Sequence, residues 1–328
     1  MILITGAAGF IGSNLAAAFN ARGVCDLVLC DRLRSGGKWL NVRKRQFDDF
    51  VSPEELPGWL EGKQGTVRGV FHMGAISSTT VVDGDAVLRE NFKFSLALLD
   101  WCAAAGVPFI YASSAATYGD GSQGFRDAFT PEALAKLTPL NLYGFSKHAF
   151  DGVVCRRRQT GGPLPPQCVG LKFFNVFGPN EYHKGSMQSV LTKVWPDIVA
   201  GRAVRLFRSH VPHVRDGEQR RDFVYVRDAE RVMLWLCDNP QISGLFNVGT
   251  GEARTFKDFI RAGFAAAGRE PRIEYVDMPV EIRDKYQYFT QADLGGLRGA
   301  GYPHPFTPLE DAVADYVKNY LSQECPYR

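Results

Sequence analysis

The N-terminal stretch places the strongest constraint on the fold. The apolar, β-branched run from Met1 to Thr5 is followed at once by Gly6, Gly9 and Gly12, and then by a helical pattern of apolar residues. This order predicts a strand, a tight turn and a helix, because glycines allow a sharp turn and a close approach of the backbone to a ligand. The free amides and positive dipole end of such a helix bind pyrophosphate. The stretch therefore predicts a dinucleotide-binding turn.

A second apolar run, residues 27–30, ends at Asp31, nineteen residues after the last of these glycines. At that distance a carboxylate meets the adenosine ribose of a bound dinucleotide, and Asp31 alone favours NAD. Arg32, Arg34 and Lys38 follow, and their positive charges suit a ribose 2′-phosphate. The residues leave the cofactor open with a preference for NADP, and a solvent-exposed basic loop is the alternative.

Further strands and helices alternate along the chain. Residues 69–73 form a predicted strand that leads into the small-residue turn 74–78, and a later strand ends in Ser113 and Ser114. Open α/β sheets bind ligands at the carboxyl ends of their strands, so both segments are candidate ligand contacts. The intervening helix, residues 86–104, carries a predicted apolar stripe of Leu88, Phe92, Leu96 and Leu99, with Asn91 beside it.

A helix predicted from Tyr143 onward places Tyr143 and Lys147 one turn apart on one face. A phenol with a pKa near ~10 is a poor base at neutral pH, but a neighbouring ammonium lowers this pKa. The pair is therefore a candidate catalytic site. A Tyr-x-x-x-Lys spacing also occurs by chance, so an ordinary helix face is the competing interpretation.

The alternation lapses after residue 178 and returns over residues 222–248. The arginine-rich segment 202–221 lies between these two parts of the chain. One interpretation is a solvent-exposed charged face, and the other is a binding site for a phosphate-bearing substrate. We predict an α/β fold with a Rossmann-type, doubly wound parallel sheet and a smaller, interleaved C-terminal substrate domain. The NADP-binding domain comprises residues 1–176 plus 222–248, and the substrate-binding domain residues 177–221 plus 249–328.

Composition excludes several classes of protein. No apolar run in the 328 residues reaches the ~20 that a membrane span requires, and the chain begins with a strand pattern rather than a signal peptide. The net charge of +3 gives no sign of nucleic-acid binding, and the seven scattered cysteines indicate neither disulfides nor zinc. We expect a cytoplasmic protein with reduced thiols, no membrane contact and no metal site.

With the glycine turn, Ser114, Tyr143 and Lys147 in this order, the chain resembles the extended short-chain dehydrogenase/reductase family. Six segments spread over essentially the whole chain are similar to the ADP-glyceromanno-heptose 6-epimerases of that family. They are Gly74-Ala-Ile-Ser-Ser-Thr-Thr80, Tyr111-Ala-Ser-Ser-Ala-Ala-Thr-Tyr-Gly119, Pro139-Leu-Asn-Leu-Tyr143, His183-Lys-Gly-Ser-Met187, Arg221-Asp-Phe-Val-Tyr-Val226 and Phe289-Thr-Gln-Ala-Asp-Leu294.

The resemblance implies bound NADP, the substrate ADP-D-glycero-D-manno-heptose, inversion at C6 of the heptose and a place in lipopolysaccharide inner-core synthesis. It also implies a homo-oligomer, since members of the family are reported as homopentamers. Inverting a secondary carbinol requires removal of its hydrogen and return to the opposite face, which a nicotinamide performs as hydride without net redox. The ketone intermediate then requires proton transfer in two poses.

The resemblance also implies roles for individual residues. Tyr143 and Lys184 match the two proton-transfer residues, supported by Lys147 and Ser114; a phosphate-binding role is the alternative for Lys184. The cofactor-binding positions are Gly6, Gly9, Phe10, Ile11, Gly12, Asp31, Arg32, Lys38, Met73, Gly74, Ala75, Ile76, Ser77, Asn91, Lys147, Val176 and Lys184. The substrate-binding positions are Ser114, Asn175, Ser186, Lys193, Phe207, Arg221 and Tyr286.

Some positions depart from the family pattern. Pro53 stands where the family commonly has a cofactor-contacting lysine, and Lys193 where it has a histidine. Two alternative functions remain. A nucleotide-sugar 4,6-dehydratase requires an acid and a base for elimination of water, but Ala115-Ala116 occupies the positions where such enzymes carry Asp-Glu. A non-catalytic, cofactor-sensing protein of the same fold does not require Ser114, Tyr143 and Lys147.

Overall fold

The computed structural model describes residues 1–283 and 286–328. The strands are β1 Ile2–Thr5, β2 Leu27–Cys30, β3 Asp49–Val51, β4 Gly69–His72, β5 Phe109–Ser114, β6 Cys168–Phe173, β7 Asn175–Phe177, β8 Val204–Phe207, β9 Arg220–Tyr225, β10 Gly244–Val248, β11 Ala253–Thr255 and β12 Ile273–Val276. The α-helices are α1 Phe10–Ala21, α2 Leu56–Trp59, α3 Gly84–Val87, α4 Phe94–Ala105, α5 Pro131–Leu134, α6 Leu142–Thr160, α7 Val190–Val199, α8 Val226–Asp238, α9 Phe256–Ala266, α10 Val280–Arg283, α11 Gly295–Gly299 and α12 Leu309–Tyr316.

The central sheet has seven strands in the order β10-β6-β5-β4-β1-β2-β3. All its neighbouring strands are parallel, and apolar side chains are buried on both faces. From the middle of the sheet, the strands follow in chain order through β1, β2 and β3 on one side and through β4, β5 and β6 on the other. The ligand-binding crevice of a doubly wound fold opens at this reversal, between β1 and β4. The predicted Rossmann-type sheet is therefore confirmed.

The helix predicted over residues 86–104 is interrupted by a π-helical segment, Leu88–Lys93, between α3 and α4. A π turn adds a residue to the helical turn and shifts every later side chain around the axis. Leu99 is buried as predicted, but Leu88 is exposed, and the buried side of this stretch instead includes Asn91 and Ser95. The predicted apolar stripe is therefore wrong in its first turn.

The C-terminal half adds two small sheets, β11-β9-β7 and β12-β8. Helices α7, α9 and α12 pack with them around a second apolar core. Strand β10 nevertheless joins the central sheet, so the chain crosses between the two halves more than once. The division at residue 177 into cofactor and substrate domains stays a prediction.

Over the described residues, no helix combines the length and the apolar character that crossing a membrane requires.

Candidate active site

A cleft of about 1090 Å³ runs along the carboxyl ends of the central strands and continues against the C-terminal half. Most of the predicted site residues line it. Those on the cofactor side are Gly6, Gly9, Phe10, Ile11, Gly12, Asp31, Arg32, Lys38, Met73, Gly74, Ala75, Ile76, Ser77 and Val176. The others are Ser114, Tyr143, Lys147, Asn175, Lys184, Ser186, Lys193, Arg221 and Tyr286.

The glycine turn is built as the sequence predicts. Gly6 has a φ of +64°, and a Cβ there would lie 2.6 Å from the Cα of Gly74. A Cβ on Gly12 would lie 2.2 Å from the carbonyl oxygen of Gly6. No side chain caps α1 at Gly9, so the first amides of this twelve-residue helix face the cleft without a side-chain acceptor. The turn fits a pyrophosphate.

Asp31 is held by the protein itself at the end of β2. Its Oδ2 accepts a hydrogen bond from the Ala8 amide at 2.9 Å, and its Oδ1 accepts one from the Arg32 amide at 2.7 Å. The ammonium of Lys38 forms an ion pair with the same carboxylate. Lys38 therefore places a positive charge beside the carboxylate that the sequence assigns to the ribose.

The guanidinium of Arg32 contacts two carboxylates. It lies 2.6 Å from Glu54 and 2.8 Å from Glu90, and the hydrogen bond with Glu54 raises the pKa of Arg32. These two carboxylates therefore partly neutralise the positive charge that Arg32 presents to the cleft. Pro53, which precedes Glu54, also lines the cleft.

Asn91 differs from the other predicted cofactor positions, because it lies behind the cleft wall. Its side chain is buried and bonds both backbone groups of Ile76, accepting from the amide at 2.7 Å and donating to the carbonyl at 3.0 Å. It also donates to the Ser146 hydroxyl. Asn91 thus fixes the small-residue turn 74–78 against α6 and does not face a ligand directly.

Tyr143, Ser114 and Lys147 meet where β5 ends beside α6. Asn141 caps this helix by accepting a hydrogen bond from the Gly144 amide at 2.8 Å, so Tyr143 and Lys147 project from its first turns. Tyr143 is partly accessible from the cleft, yet burial of its hydroxyl raises its pKa, while the neighbouring Ser114 side chain opposes this rise. The net shift of the Tyr143 pKa is therefore upward because of burial, and the predicted lowering by Lys147 stays a prediction.

Lys147 is buried at 2% exposure. Burial lowers the pKa of its ammonium from 10.5 to about 8, and the negative charge of Asp151 opposes this change. Desolvation destabilises the charged form of a buried amine, whereas a nearby carboxylate stabilises it. The charge state of Lys147 therefore depends on Asp151, one turn further along α6.

Asp151 belongs to a buried network that sequence reasoning missed. Its carboxylate accepts hydrogen bonds from the hydroxyls of Tyr111 at 3.0 Å and Ser113 at 2.7 Å. Its Oδ2 also lies 3.6 Å from the ammonium of Lys172 on β6, which donates to Thr117 at 2.6 Å. The available signal was spacing alone, since Asp151 follows Tyr143 and Lys147 at helical intervals on the same face.

Lys184 reaches the cleft from the 3₁₀ segment Tyr182–Met187, opposite α6. Its ammonium lies 5.1 Å from the ring centroid of Phe10, within the range of a cation–π contact. Burial lowers the pKa of Lys184; the negative charge of Glu181 opposes this change, and the positive charge of Lys193 adds to it. The same segment carries Ser186, whose carbonyl accepts a hydrogen bond from Lys193 at 3.1 Å.

Arg221 and Tyr286 form another wall of the cleft. The guanidinium of Arg221 is 7% exposed and lies 5.0 Å from the Tyr286 ring centroid and 5.7 Å from that of Phe256. One of its nitrogens donates to the Arg220 carbonyl at 2.9 Å. The aromatic rings keep the guanidinium in place, and burial lowers its pKa.

Phe207 is the predicted substrate position that the structure leaves away from the other site residues. It ends β8, and its carbonyl accepts a hydrogen bond from Gln219, but it does not border the described cleft. Most arginines of the segment 202–221 also do not border the described cleft. Arg208 is half exposed and pairs with Asp216 and Asp277, so among these arginines it is Arg221 that the structure brings to the cleft.

No cluster of potential metal ligands exists within residues 1–283 and 286–328.

Comparison with known proteins agrees with this geometry. The model of the NAD dependent epimerase/dehydratase family matches residues 2–249. The ADP-L-glycero-D-manno-heptose-6-epimerase of Nitratidesulfovibrio vulgaris is 47% identical, with 100% of both chains covered. The enzyme of that name from Fusobacterium nucleatum is 42% identical, again with 100% of both chains covered.

Solved structures of nucleotide-sugar epimerases are also similar to this chain. The Helicobacter pylori ADP-L-glycero-D-manno-heptose-6-epimerase is 30% identical with a TM-score of 0.77, covering 97% of this chain and 95% of that one. The Thermus thermophilus UDP-glucose 4-epimerase, solved in complex with NAD, is 26% identical with a TM-score of 0.75, covering 96% and 97%. This chain therefore belongs to the NAD dependent epimerase/dehydratase family, within which the full-length relatives named above are ADP-L-glycero-D-manno-heptose-6-epimerases.

Proposed function

We propose that this chain epimerises ADP-D-glycero-β-D-manno-heptose at C6 to give ADP-L-glycero-β-D-manno-heptose, a precursor of the lipopolysaccharide inner core. The observation that carries the proposal is the presence of two proton-transfer candidates from separate elements in one cleft. Tyr143 enters from α6, and Lys184 enters from the segment between β7 and α7. The relatives that share the whole length of the chain carry the name of this activity.

Inversion at C6 requires proton transfer at the carbinol oxygen in two orientations of the sugar. A nicotinamide cofactor held by the glycine turn would supply reversible hydride transfer at C6. A ketone that presents each face in turn needs a proton acceptor and donor in each pose. Two groups on separate walls of one cleft meet this requirement.

Tyr143 exchanges the proton at the carbinol oxygen in one pose. The neighbouring Ser114 side chain favours the phenolate relative to the phenol, which assists removal of the proton despite the burial that raises the pKa. Lys147 supplies a further positive charge when it is protonated, and Asp151 favours that state. Lys184 serves the other pose, because burial lowers the pKa of its ammonium and makes proton release easier.

The ADP part of the substrate carries a diphosphate, which we assign to Arg221. A guanidinium can bind phosphate oxygens through two parallel hydrogen bonds. The contacts of Arg221 with Phe256 and Tyr286 orient it before the substrate arrives. Ser186, Lys193 and Asn175 complete the proposed substrate-binding wall.

We further propose that the preferred cofactor is NADP rather than NAD. The glycine turn fits the pyrophosphate, and Asp31, which alone would favour a 2′-hydroxyl, is already paired with Lys38. Lys38 adds positive charge beside this carboxylate and suits a 2′-phosphate, whereas Arg32 contributes less because Glu54 and Glu90 contact its guanidinium. A cytoplasmic homo-oligomer, with a pentamer implied by the family resemblance, completes the proposal.

The competing 4,6-dehydratase function lacks support in the cleft. Elimination of water needs an additional acid and base beside the sugar. Among the described cleft-lining residues, the carboxylates are Asp31 and Glu90. Asp31 lies at the end of β2 and Glu90 contacts Arg32, so both lie at the proposed adenosine end. Ala115 and Ala116 face the cleft near Tyr143 instead.

Incubation of the purified protein with ADP-D-glycero-β-D-manno-heptose tests the proposal. We expect the L-glycero epimer in the NMR spectrum without added cofactor and without accumulation of NADPH. Substrate deuterated at C6 should retain the label in the product, since the hydride returns to the same carbon. Accumulation of a deoxy sugar or steady NADPH production would instead favour a dehydratase or a dehydrogenase.

A further inference from the structure

We propose that Glu181 is a positioning residue for Lys184, which it serves by bracing the segment that carries this lysine and by placing a negative charge within the same short loop. The inference rests on the proposed function, in which Lys184 transfers a proton. Glu181 itself does not border the cleft as described, so it acts through its neighbour rather than on the substrate.

Glu181 is fully buried and richly hydrogen bonded. Its Oε1 accepts hydrogen bonds from the Gly178 amide at 3.2 Å, the Ser189 hydroxyl at 2.8 Å, the Thr192 hydroxyl at 2.8 Å and the Tyr316 hydroxyl at 3.4 Å. Its Oε2 accepts one from the Ser189 amide at 2.5 Å. A buried carboxylate requires such donors because it has lost its hydration.

These bonds close the lysine-bearing segment into a loop. Gly178 precedes Tyr182–Met187 and Ser189 follows it, so one carboxylate ties the two ends together. The Lys184 amide also donates to the Glu181 carbonyl at 3.0 Å. Inside the loop, Gly185 has a φ of +54°, a conformation that glycine adopts readily and that turns the chain between Lys184 and Ser186. Removing the Glu181 bonds would let Lys184 move relative to the opposite wall.

The charge of Glu181 acts on the same amine. Its carboxylate opposes the effect of burial on the pKa of Lys184, and it does the same for Lys193 from α7. Besides Lys193, the titratable groups facing this region include Tyr182 and His183 on the segment itself, Tyr316 on α12 and Lys38. The positive charge of Lys184, with that of Lys38, lowers the pKa of His183 in addition to burial. Glu181 thus supplies a negative charge close to the positively charged side chains of Lys184 and Lys193.

A purely structural role for Glu181 is the alternative. In that case the carboxylate would cap α7, and its loss would destabilise the protein without changing the titration of Lys184. Variants that remove the charge and the hydrogen bonds separately distinguish the two roles.

Glu181→Gln removes the charge at nearly constant size. The hydroxyls of Ser189, Thr192 and Tyr316 can rotate to accept from the new amide, so the main loss is the acceptor for Gly178. Labelling with acetic anhydride over a range of pH, with mass spectrometry of the peptide that contains Lys184, measures the titration of this amine directly. We expect the midpoint to fall by roughly 0.5–1 pH unit in the variant, because an attractive charge is lost.

The double variant Ser189→Ala/Thr192→Val is the matched control, because it removes hydrogen bonds and keeps the carboxylate. Its labelling midpoint and its kcat should both stay close to those of the unmodified protein, because the Gly178 and Ser189 amides still bond to Glu181 and keep the loop closed. Glu181→Asp keeps the charge but withdraws the carboxylate from the Gly178 and Ser189 amides, so its kcat should fall about 10- to 100-fold. It keeps the positioning half of the inference testable if Glu181→Gln does not fold.

Three outcomes would overturn the inference: an unchanged midpoint in Glu181→Gln, a midpoint shifted in the double variant as much as in Glu181→Gln, or an unchanged kcat in Glu181→Asp. Failure of the proposed function has a different signature. If Lys184→Met epimerises at the normal rate, Lys184 is not a proton-transfer residue, yet the labelling midpoint in Glu181→Gln still reports whether Glu181 controls its charge.

Discussion

The ammonium of Lys172 lies 3.6 Å from Oδ2 of Asp151, and both side chains are buried beneath the candidate active site. The pair connects β6 to α6, the helix that carries Tyr143 and Lys147. The Lys172 ammonium also lies 4.4 Å from the Tyr118 ring centroid. Asp151 is thus placed to influence both the stability of this region and the charge of Lys147.

Asp151→Asn should destabilise the protein by about 3–5 kcal/mol, because it leaves the buried Lys172 without its counter-charge. Denaturant unfolding measures this free energy. Lys172→Met in the same background should recover part of the loss, since the orphaned charge is gone. Asp197→Asn breaks the exposed ion pair with Arg202 at 2.7 Å and serves as the control, for which we expect a change of about 0–1 kcal/mol. Equal effects at the two sites would contradict the buried-pair account.

Tyr143→Phe should lower kcat by roughly 10²–10⁴-fold, the usual contribution of one acid–base group. The ring remains, so thermal stability and cofactor binding should change little. Measurement of epimerisation alongside a melting curve separates chemistry from folding. Ser114→Ala should lower kcat less, since the phenol remains; the variant also removes the acceptor of the Ala116 amide, so its melting curve is measured as well. A Tyr143→Phe enzyme within a few-fold of the unmodified rate would show that another group carries this proton.

Arg221→Lys should weaken substrate binding more than its conserved charge suggests, because lysine cannot form the two parallel bonds of a guanidinium. Loss of a charge-assisted contact worth roughly 1.5–3 kcal/mol corresponds to about a 10- to 150-fold increase in KM if the contact is equal in ground and transition states. Arg208→Lys, in the exposed part of the same arginine-rich segment, is the control and should leave KM unchanged. A higher KM in Arg208→Lys with an unchanged KM in Arg221→Lys would place the diphosphate at the exposed arginines.

Lys38→Gln should reduce affinity for NADP more than affinity for NAD. The variant removes a cation proposed to face the 2′-phosphate and also releases Asp31 from its ion pair, which favours a 2′-hydroxyl. Calorimetric titration of both cofactors gives the two dissociation constants. Lys44→Gln, an exposed lysine whose ammonium contacts the Tyr327 carbonyl, controls for the general loss of positive charge. An unchanged ratio of the two constants would argue against Lys38 as a specificity residue.

The sequence predicts those parts of the fold and site that depend on local pattern. The glycine turn follows from residue spacing, since the helix it opens and the strand before it are consecutive. Tyr143 and Lys147 share a helix face for the same reason. The sheet was predictable because buried parallel strands appear as short apolar runs separated by helices.

Long-range contacts explain what the sequence does not reveal. The π-helical segment Leu88–Lys93 changes the phase of a helix whose residue pattern looks ordinary, and Asn91 becomes buried as a result. Glu181 looks like a surface residue in a loop until Tyr316, far along the chain, covers it. The direction of the pKa shift of Tyr143 likewise depends on burial, which the spacing of a helix does not supply.

Lys147→Met should stabilise the protein at pH 7 while reducing activity. Burial lowers the pKa of Lys147 in the folded state from 10.5 to about 8, so between about pH 8 and 10.5 the unfolded chain binds a proton that the folded chain does not. Stability therefore rises with pH through this window, and the cost of burying the ammonium is fully present below it. That cost is on the order of 2–4 kcal/mol, from the size of the pKa shift, and the variant should recover it and lose the pH dependence. Melting curves from pH 7 to 10, with Lys136→Met as an exposed control, measure both effects; a variant that melts lower than the unmodified protein at pH 7 would mean that Lys147 contributes more through its contacts than its buried charge costs.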